Sequence, residues 1–231
     1  HVPPGAQLVQ LIEDPGTAAW TPEGTSAVGG IRLGVLDLLA RAAPPQRVLP
    51  QPRPARPRVE PTGPLMSVPY VMQTLAEVRD AASIVVEEAP SSRAAMHAYL
   101  PIVQSETFYT MCSGGLGYGL PAAVGVALAK PDHKVIGLIG DGSAMYTIQS
   151  LWTMARENLD VCVMIFSNRS YNILYSQLAD VGAANPGPRA IDMLTLDRPT
   201  LDFAMMSKSM GVPGGQARNL EELTKQLTYA M

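Results

Sequence analysis

Residues 135–143 read Val-Ile-Gly-Leu-Ile-Gly-Asp-Gly-Ser, and residues 161–170 read Val-Cys-Val-Met-Ile-Phe-Ser-Asn-Arg-Ser. Each segment begins with a short apolar run, typical of a buried parallel strand, and ends in polar residues. Asp141 follows the first run, and Asn168 follows the second run twenty-seven positions later. Both side chains are therefore predicted to lie just past the carboxyl ends of strands, where open α/β sheets bind their ligands.

The side-chain oxygens of Asp141 and Asn168 predict a site for a hard cation such as Mg²⁺. Mg²⁺ takes few ligands from the protein and completes its shell with phosphate and water, so the pair implies a phosphorylated ligand. The alternative interpretation is two unrelated surface loops, because a Gly-Asp-Gly triplet alone is often only a tight turn.

Composition limits the class of protein. The chain has 231 residues, 47% hydrophobic and 16% charged, with a net charge of −3, which allows one large or two small globular domains. Neither nucleic-acid binding nor membrane binding is indicated, and no signal peptide is visible. Cys112 and Cys162 stand in apolar context, which favours a reduced, cytoplasmic protein. The chain opens at His1 rather than Met, and we expect it to be part of a longer protein.

Strands alternate with helices along the chain, which predicts an α/β fold with a doubly wound parallel sheet. We expect a first domain over 1–43, a Pro/Arg-rich linker over 44–64 and a second domain over 65–231, with a last strand beyond Met231. The strands are predicted at 6–12, 83–87, 135–139, 161–166 and 212–217. The helices are predicted at 31–43, 67–80, 91–100, 120–129, 146–158, from Tyr171, at 202–210 and after Asn219, with a long loop over 180–200.

Two charged features have two interpretations each. The linker carries Arg47, Arg53, Arg56 and Arg58, which are either an anion-binding patch or solubilising charges on an extended connector. The pair Glu87-Glu88 is either an acid/base pair or the end of a strand with one solvated carboxylate.

Further motifs indicate a family. Residues 113–123 read Ser-Gly-Gly-Leu-Gly-Tyr-Gly-Leu-Pro-Ala-Ala, about twenty-five positions ahead of Asp141, and Leu-Trp-Thr stands at 151–153. With the Gly-Asp-Gly and Asn168, these segments resemble thiamine diphosphate (ThDP) enzymes. Benzoylformate decarboxylase is the most similar pattern, and acetolactate synthase catalytic subunits come next. Ser167 departs from the family's Asn-Asn pair, whereas the second position is kept as Asn168.

The resemblance implies a fold and a set of binding residues. Residues 1–43 would be the end of a Rossmann-like middle domain, and 65–231 the diphosphate-binding domain of ThDP enzymes. The metal ligands would be Asp141, Asn168 and the backbone carbonyl of Ser170. The implied cofactor-binding residues are Pro90, Gly114, Leu116, Gly140, Gly142, Ser143 and Ala144.

Within that set, individual roles are implied. Leu116 would wedge between the two rings of the cofactor, and the carbonyl of Gly114 would accept from its amino group. Gly142, Ser143 and Ala144 would hold the diphosphate at the start of a helix near Met145, and the alternative interpretation is that Ser143 is only an N-cap, although both roles are compatible.

The resemblance also implies an activity. We expect ThDP- and Mg²⁺-dependent decarboxylation or carboligation of a 2-oxo acid, with Ile173 and Gln177 lining the substrate site. The polar Asn172 and Gln177 disfavour an aromatic substrate. An acetolactate synthase catalytic subunit is the alternative, with FAD binding left open, and the non-enzyme alternative is an inactive ThDP-binding homologue or fragment.

The family's remaining machinery is expected outside this chain. An activating Glu and acid/base His residues are expected upstream of it. The Glu would come from the pyrimidine-binding domain of a neighbouring subunit in a homodimer or homotetramer. This chain alone is therefore expected to be inactive.

Overall fold

A computed structural model describes residues 4–41, 43, 56–61, 63, 66–183 and 185–231. The chain divides into two compact units, His1–Pro54 and Ala55–Met231. Most of the predicted linker, including Arg47 and Arg53, lies outside the described residues.

The first unit contains a two-stranded parallel sheet and two helices. In chain order these elements are β1 (Val9–Ile12), α1 (Pro15–Ala18), β2 (Thr25–Val28) and α2 (Ile31–Ala40). The sequence predicted β1 and α2, but it did not predict β2, which pairs with β1 from Val9 opposite Thr25 to Ile12 opposite Val28. None of the residues that the structure describes in this unit is fully buried.

The second unit is built on a four-stranded, all-parallel sheet with the order β4-β3-β5-β6. Its strands are β3 (Ile84–Glu88), β4 (Phe108–Thr110), β5 (Val135–Gly140) and β6 (Val161–Phe166). The helices of this unit are α3 (Val68–Val78), α4 (Arg93–Tyr99), α5 (Gly119–Ala129), α6 (Asp141–Thr147), α7 (Ser150–Arg156), α8 (Asn172–Asp180), α9 (Pro188–Met193), α10 (Phe203–Ser209) and α11 (Leu220–Ala230). A single 3₁₀ turn, Pro90–Ser92, precedes α4.

Helices cover both faces of this sheet, so the predicted doubly wound fold is confirmed. On one face, Val85 and Ile136 pack with buried residues of α3, α4 and α11. On the other face, Ile84 and Val135 pack with buried residues of α5, α6 and α7. The alternation follows from the two-residue period of a strand, which sends successive side chains to opposite faces.

Local signals predicted several helix ends correctly. Ser67 caps α3 by accepting from the Tyr70 N–H at 3.3 Å, and Asn219 caps α11 by accepting from the Glu222 N–H at 2.9 Å. The Glu222 carboxylate accepts in return from the Arg218 N–H at 2.7 Å, which completes a capping arrangement close to the predicted one.

Three predictions about elements were wrong. The helix predicted over 146–158 is two helices, α6 and α7, and α6 begins at Asp141 rather than near Met145. The loop predicted over 180–200 contains α9. No strand forms over the described residues 212–217.

The failed strand over 212–217 has a local reason. Its Pro-Gly-Gly sequence weakens strand formation, and the backbone at Gly214 approaches α10 so closely that an added Cβ would lie 1.9 Å from Ser207 Oγ. The carbonyl of Gln216 accepts instead from the Gln226 amide of α11 at 2.8 Å. Contacts with helices therefore take the place of strand pairing at this segment.

The end of the predicted linker contacts α3. The side chain of Gln73 accepts from the Val59 N–H at 2.9 Å and donates to the Val59 carbonyl at 3.3 Å. Arg58 pairs with Glu77 at 2.5 Å, and Arg56 lies 6.0 Å from the ring centre of Tyr99. These two arginines, which belong to the second unit, thus form contacts within it.

Among the described residues, none of the helices is both long and apolar enough to cross a membrane.

Candidate functional site

A cavity of about 350 Å³ opens at the carboxyl ends of β3, β5 and β6. This volume is within the range of small-molecule sites, roughly 300–1,000 Å³. The residues that line it come from the ends of these strands and from the segments that follow them, together with Leu116. They are Ala89, Pro90, Ser91, Ser92, Leu116, Gly140, Asp141, Gly142, Ser143, Tyr146, Phe166, Asn168, Ser170, Tyr171, Asn172, Ile173 and Leu174.

The connections of the sheet explain the position of this cavity. The connection after β3 runs through α4 on one face, whereas α6 and α7, which follow β5, cover the other face. The neighbouring strands β3 and β5 therefore send their following segments to opposite sides, which opens a crevice at the switch point of the sheet.

Asp141 lines the cavity and is only 4% exposed. It is the first residue of α6. One carboxylate oxygen accepts from the Gly142 N–H at 2.8 Å, and the other accepts from the Arg169 N–H at 2.6 Å. The second bond joins the loop after β5 to the loop after β6. Each oxygen keeps further lone-pair capacity for a ligand.

The second loop presents Asn168 and Ser170. The Asn168 side-chain oxygen accepts from the Ser170 N–H at 2.9 Å, which orients the amide. Ser170 and Thr195 form an antiparallel bridge. Its hydrogen bonds run from Leu196 N–H to the Arg169 carbonyl, 2.7 Å, and from Tyr171 N–H to the Leu194 carbonyl, 2.9 Å. The Ser170 carbonyl is not used by this bridge, because in such a pair the opposed residues point their own N–H and C=O groups away.

The first turn of α6 forms the floor of the site. Gly142 and Ser143 follow Asp141 there, and the first N–H groups of a helix have no partners within it. Gly142 must be glycine in this packing, because an added Cβ would lie 2.6 Å from Cε1 of Tyr171. A close contact between the α6 backbone and the Tyr171 ring therefore links the two loops a second time.

Leu116 lies in a glycine-rich turn and enters the cavity from the opposite side. Leu116 is 48% exposed, so the core does not enclose it. Gly114 and Gly117 flank it with φ values of +72° and +89°, in the left-handed region that favours glycine. The turn therefore displays a leucine that the core does not enclose.

The interpretation of Glu87-Glu88 as a strand end with one solvated carboxylate is wrong, because each residue is only 1% exposed. Glu87 forms an ion pair with Arg93, Oε2 to Nη2 at 2.9 Å, and accepts from the Thr110 hydroxyl at 2.8 Å. Glu88 accepts from the backbone of the glycine-rich turn. Neither residue lines the cavity.

The structure brings nine of the twelve predicted site residues to one cavity. They are Pro90, Leu116, Gly140, Asp141, Gly142, Ser143, Asn168, Ser170 and Ile173. The other three lie outside its lining. The Ala144 side chain is fully buried in the core, Gly114 lies in the turn beside Leu116, and the Gln177 amide contacts Asp180 at 3.4 Å.

Sequence reasoning missed several lining residues. Tyr146 and Tyr171 contribute rings, and Ser91 and Ser92 contribute the segment after β3. Tyr171 and the two serines follow the ends of predicted strands, and this position could have identified them as lining residues. No local sequence signal identified Tyr146 as a lining residue. It reaches the site because helix α6 begins at Asp141, five residues before Tyr146.

Comparisons with known proteins relate this chain to a group of enzymes. The family model described as "Thiamine pyrophosphate enzyme, C-terminal TPP binding domain" matches residues 90–231. A Mycobacterium tuberculosis (strain H37Rv) protein provisionally named acetolactate synthase large subunit IlvX is 38% identical over 230 residues, 99% of this chain and 41% of that protein. Benzoylformate decarboxylase of Pseudomonas aeruginosa is 39% identical over 236 residues, 100% of this chain and 42% of that protein.

A solved structure gives the same relationship. The ThDP-dependent 4-hydroxybenzoylformate decarboxylase of Rhodococcus jostii RHA1 superposes with a TM-score of 0.82 at 31% identity, over 99% of this chain and 42% of that one. The chain thus spans about two fifths of the length of each of these relatives.

Proposed function

Because this chain belongs to the thiamine pyrophosphate enzymes and carries their C-terminal TPP binding domain, we propose that its cavity binds ThDP together with Mg²⁺. The whole protein then decarboxylates a 2-oxo acid or joins two such molecules. One observation carries this proposal. The loops that contain Asp141 and Asn168 meet in a single cavity at the switch point of the sheet.

The donor set fits a hard cation. Asp141 offers carboxylate oxygen, Asn168 offers amide oxygen and Ser170 offers its backbone carbonyl, all of which suit Mg²⁺. The Ser170 hydroxyl oxygen is buried and has no hydrogen-bond partner among the described residues, so this corner of the cavity has unused polar capacity. The described residues contain no cluster of three His, Cys, Asp or Glu side chains, so a bound ion takes further ligands from phosphate and water.

The first turn of α6 suits the diphosphate. The Gly142 N–H already donates to the Asp141 carboxylate, but the next N–H groups of the first turn, those of Ser143 and Ala144, lack helical partners, and the positive end of the helix dipole favours an anion. Ser143 adds a hydroxyl and is 8% exposed, so it lies at the boundary between core and cavity.

The apolar part of the cavity suits the rings of the cofactor. Bound ThDP supplies an electron sink for cleavage of the bond between the carboxylate and the carbonyl carbon of a 2-oxo acid. Leu116 would wedge between the rings of the bound cofactor, and Pro90 and Ile173 would exclude water from its reacting end. The carbonyl of Gly114, in the turn beside the cavity, would accept from the amino group of the cofactor.

Proton transfer needs groups from elsewhere. Among the described lining residues, Asp141 is the only carboxylate, and it is the proposed metal ligand; His, Lys and Glu are absent from that lining. From the resemblance to ThDP enzymes, we propose that the activating Glu and the acid/base His belong to a part of the protein upstream of this chain. The pyrimidine-binding domain of a neighbouring subunit supplies the Glu in a homodimer or homotetramer.

Two experiments on the full-length protein test this function. Calorimetry with ThDP is done with and without Mg²⁺, and we expect binding that depends on the metal. A screen of alkyl and aryl 2-oxo acids then measures CO₂ together with aldehyde and hydroxyketone products. If the folded protein does not bind ThDP, the proposal that this cavity binds the cofactor is contradicted. Binding without turnover of any 2-oxo acid supports an inactive ThDP-binding homologue instead.

An acetolactate synthase activity is the second candidate, and the similarity to the Mycobacterium tuberculosis protein supports it. The same screen separates the two activities. A decarboxylase releases an aldehyde from one 2-oxo acid, whereas an acetolactate synthase joins two molecules into a hydroxy-oxo acid. FAD absorbance in the purified protein is a further readout.

A further inference from the structure

Two adjacent buried carboxylates end strand β3, and they differ in their partners. Glu87 faces α4 and is satisfied by Arg93, by Thr110 and by the Ala89 N–H at 2.8 Å. Glu88 faces the opposite side of the sheet. Among the ion pairs of the described residues, none includes Glu88. A buried carboxylate without an ion pair is costly unless hydrogen bonds hold it.

Backbone N–H groups satisfy Glu88. Oε1 accepts from Gly117 N–H at 2.7 Å, and Oε2 accepts from Gly119 N–H at 2.5 Å. Gly119 is the first residue of α5, and the residue before it, Tyr118, provides no side-chain cap. Glu88 therefore caps α5 from a strand about thirty residues away, where a carboxylate also interacts favourably with the helix dipole.

The turn is tightly held around these contacts. An added Cβ at Gly117 would lie 2.8 Å from Cβ of Tyr146, and one at Gly119 would lie 2.6 Å from Cδ1 of Ile139. The Thr147 hydroxyl donates to the Gly117 carbonyl at 3.0 Å from the side of α6. Glu88 and Thr147 therefore hold the two polar groups of the peptide backbone at Gly117.

Leu116 stands immediately before this anchored glycine and lines the cavity. Because its side chain is 48% exposed, packing alone does not set its position. Its direction depends on the backbone of the turn, and the backbone depends on Glu88.

We infer that Glu88 is a positioning residue of the cavity, which acts by anchoring the glycine-rich turn so that Leu116 projects towards the bound ligand. This inference rests on the proposed function in one respect, since the ligand is taken to be ThDP. Glu88 does not itself touch the cavity, and its effect on turnover passes through Leu116.

The first test measures backbone protection without any cofactor. Hydrogen–deuterium exchange of the full-length protein is compared with that of Glu88→Gln, which keeps the size of the side chain but replaces one acceptor by a donor. We expect exchange at 117–119 to become about tenfold faster, the effect of losing one hydrogen bond to a charged acceptor. The matched control is Glu87→Gln, which should loosen 89–93 and leave 117–119 protected.

The second test measures coupling to Leu116. Turnover with ThDP and Mg²⁺ is measured for Glu88→Gln, Leu116→Ala and the double variant. We expect Glu88→Gln to lower kcat about tenfold, with ThDP affinity nearly unchanged, and to have no further effect when Leu116 is already alanine. A residue with only a structural role lowers the melting temperature and gives the same loss of kcat in both backgrounds.

The outcomes separate this inference from the proposed function. Unchanged exchange at 117–119 in Glu88→Gln overturns the anchoring role, and equal losses of kcat in the two backgrounds overturn the link to Leu116. If the unmodified protein binds no ThDP in calorimetry, the proposed function fails. The exchange measurement still decides the anchoring role, because it needs no cofactor.

Discussion

The two walls of the cavity are held in different ways. The inner wall follows β3 and β5, whose residues are almost entirely buried, and it includes Asp141 at 4% exposure. The outer wall, residues 168–174, follows β6 at the edge of the sheet, where every strand residue is only partly buried and Asn168 is exposed. Substitutions in the inner wall should therefore disturb folding as well as binding, whereas those in the outer wall should mainly disturb binding.

The binding of ThDP should be weakened most by a substitution of Asp141, the residue through which the two walls are hydrogen-bonded to each other. Asp141 contacts the outer loop through the Arg169 N–H and is the only carboxylate among the described lining residues. We expect Asp141→Ala to abolish Mg²⁺-dependent ThDP binding, because it removes the negative charge that holds the ion beside a diphosphate.

Calorimetry of the full-length protein checks this, with circular dichroism to confirm that the variant is folded. The matched control is Asp132→Ala, which removes a carboxylate from the turn before β5, at the opposite end of that strand from the lining residues Gly140 and Asp141. Unchanged ThDP affinity in folded Asp141→Ala contradicts the metal site.

The inner wall should lose stability when the ion pair between the buried Glu87 and the partly exposed Arg93 is broken. Arg93→Ala leaves the Glu87 carboxylate, 1% exposed, with only its two neutral donors. We expect the free energy of unfolding to fall by about 2 kcal/mol, since a buried charge loses its partner. Denaturant titration without cofactor measures it.

A surface ion pair provides the control for Arg93. Lys130 pairs with Glu106, whose side chain is 69% exposed. Lys130→Ala should cost less than about 1 kcal/mol, because exposed pairs contribute little. If Arg93→Ala and Lys130→Ala lower the free energy of unfolding equally, the ion pair of Glu87 does not stabilise the inner wall more than a surface pair does.

The outer wall should lose binding without losing stability. Asn168→Ala removes one neutral oxygen ligand, and we expect ThDP affinity in the presence of Mg²⁺ to fall about tenfold, less than for Asp141→Ala. Asn168→Asp keeps an oxygen at the same place and serves as the matched variant, with affinity closer to that of the unmodified protein. A large fall in melting temperature of cofactor-free Asn168→Ala contradicts the distinction between the walls.

The smallest effect is expected at Arg169, where the outer wall stores backbone strain. Its φ of 56° is in the left-handed region, which is unfavourable for a residue with a long side chain. Arg169→Gly keeps the N–H that binds Asp141 and should raise the free energy of unfolding by about 0.5–1 kcal/mol.

Asn158 provides the comparison for Arg169. It has a similar φ of 49°, but asparagine tolerates this conformation better, so Asn158→Gly should change stability less. Denaturant titration of both variants is the measurement. A destabilised Arg169→Gly shows that the arginine side chain contributes more than the strain costs.

Where a local pattern was strong, the sequence was enough to predict the structure. The apolar runs before Asp141 and Asn168 predicted strands β5 and β6, with β6 confirmed at both ends. The caps at Ser67 and Asn219 were predicted because they depend on residues within one turn of each other. The position of polar residues after parallel strands then predicted where a ligand cavity should lie.

Elements that depend on distant partners could not be predicted locally. The three-residue strand β4 exists because Phe108–Thr110 pairs with β3, and α9 has few periodic apolar residues of its own. The Pro-Gly-Gly sequence within 212–217 disfavours a strand, and the backbone there is taken by contacts with α10 and α11. Local propensity is weak beside such tertiary contacts.

The sequence by itself determined the α/β fold, the order of its main elements and the oxygen-bearing residues at the ends of β5 and β6. Only the tertiary structure decided that Glu87 and Glu88 are both buried, with Glu87 supporting the segment after β3 and Glu88 capping α5. The physical reason is that a carboxylate can be buried only where hydrogen-bond donors replace the water that it loses. Here those donors come from Arg93, Thr110 and a glycine-rich turn about thirty residues away.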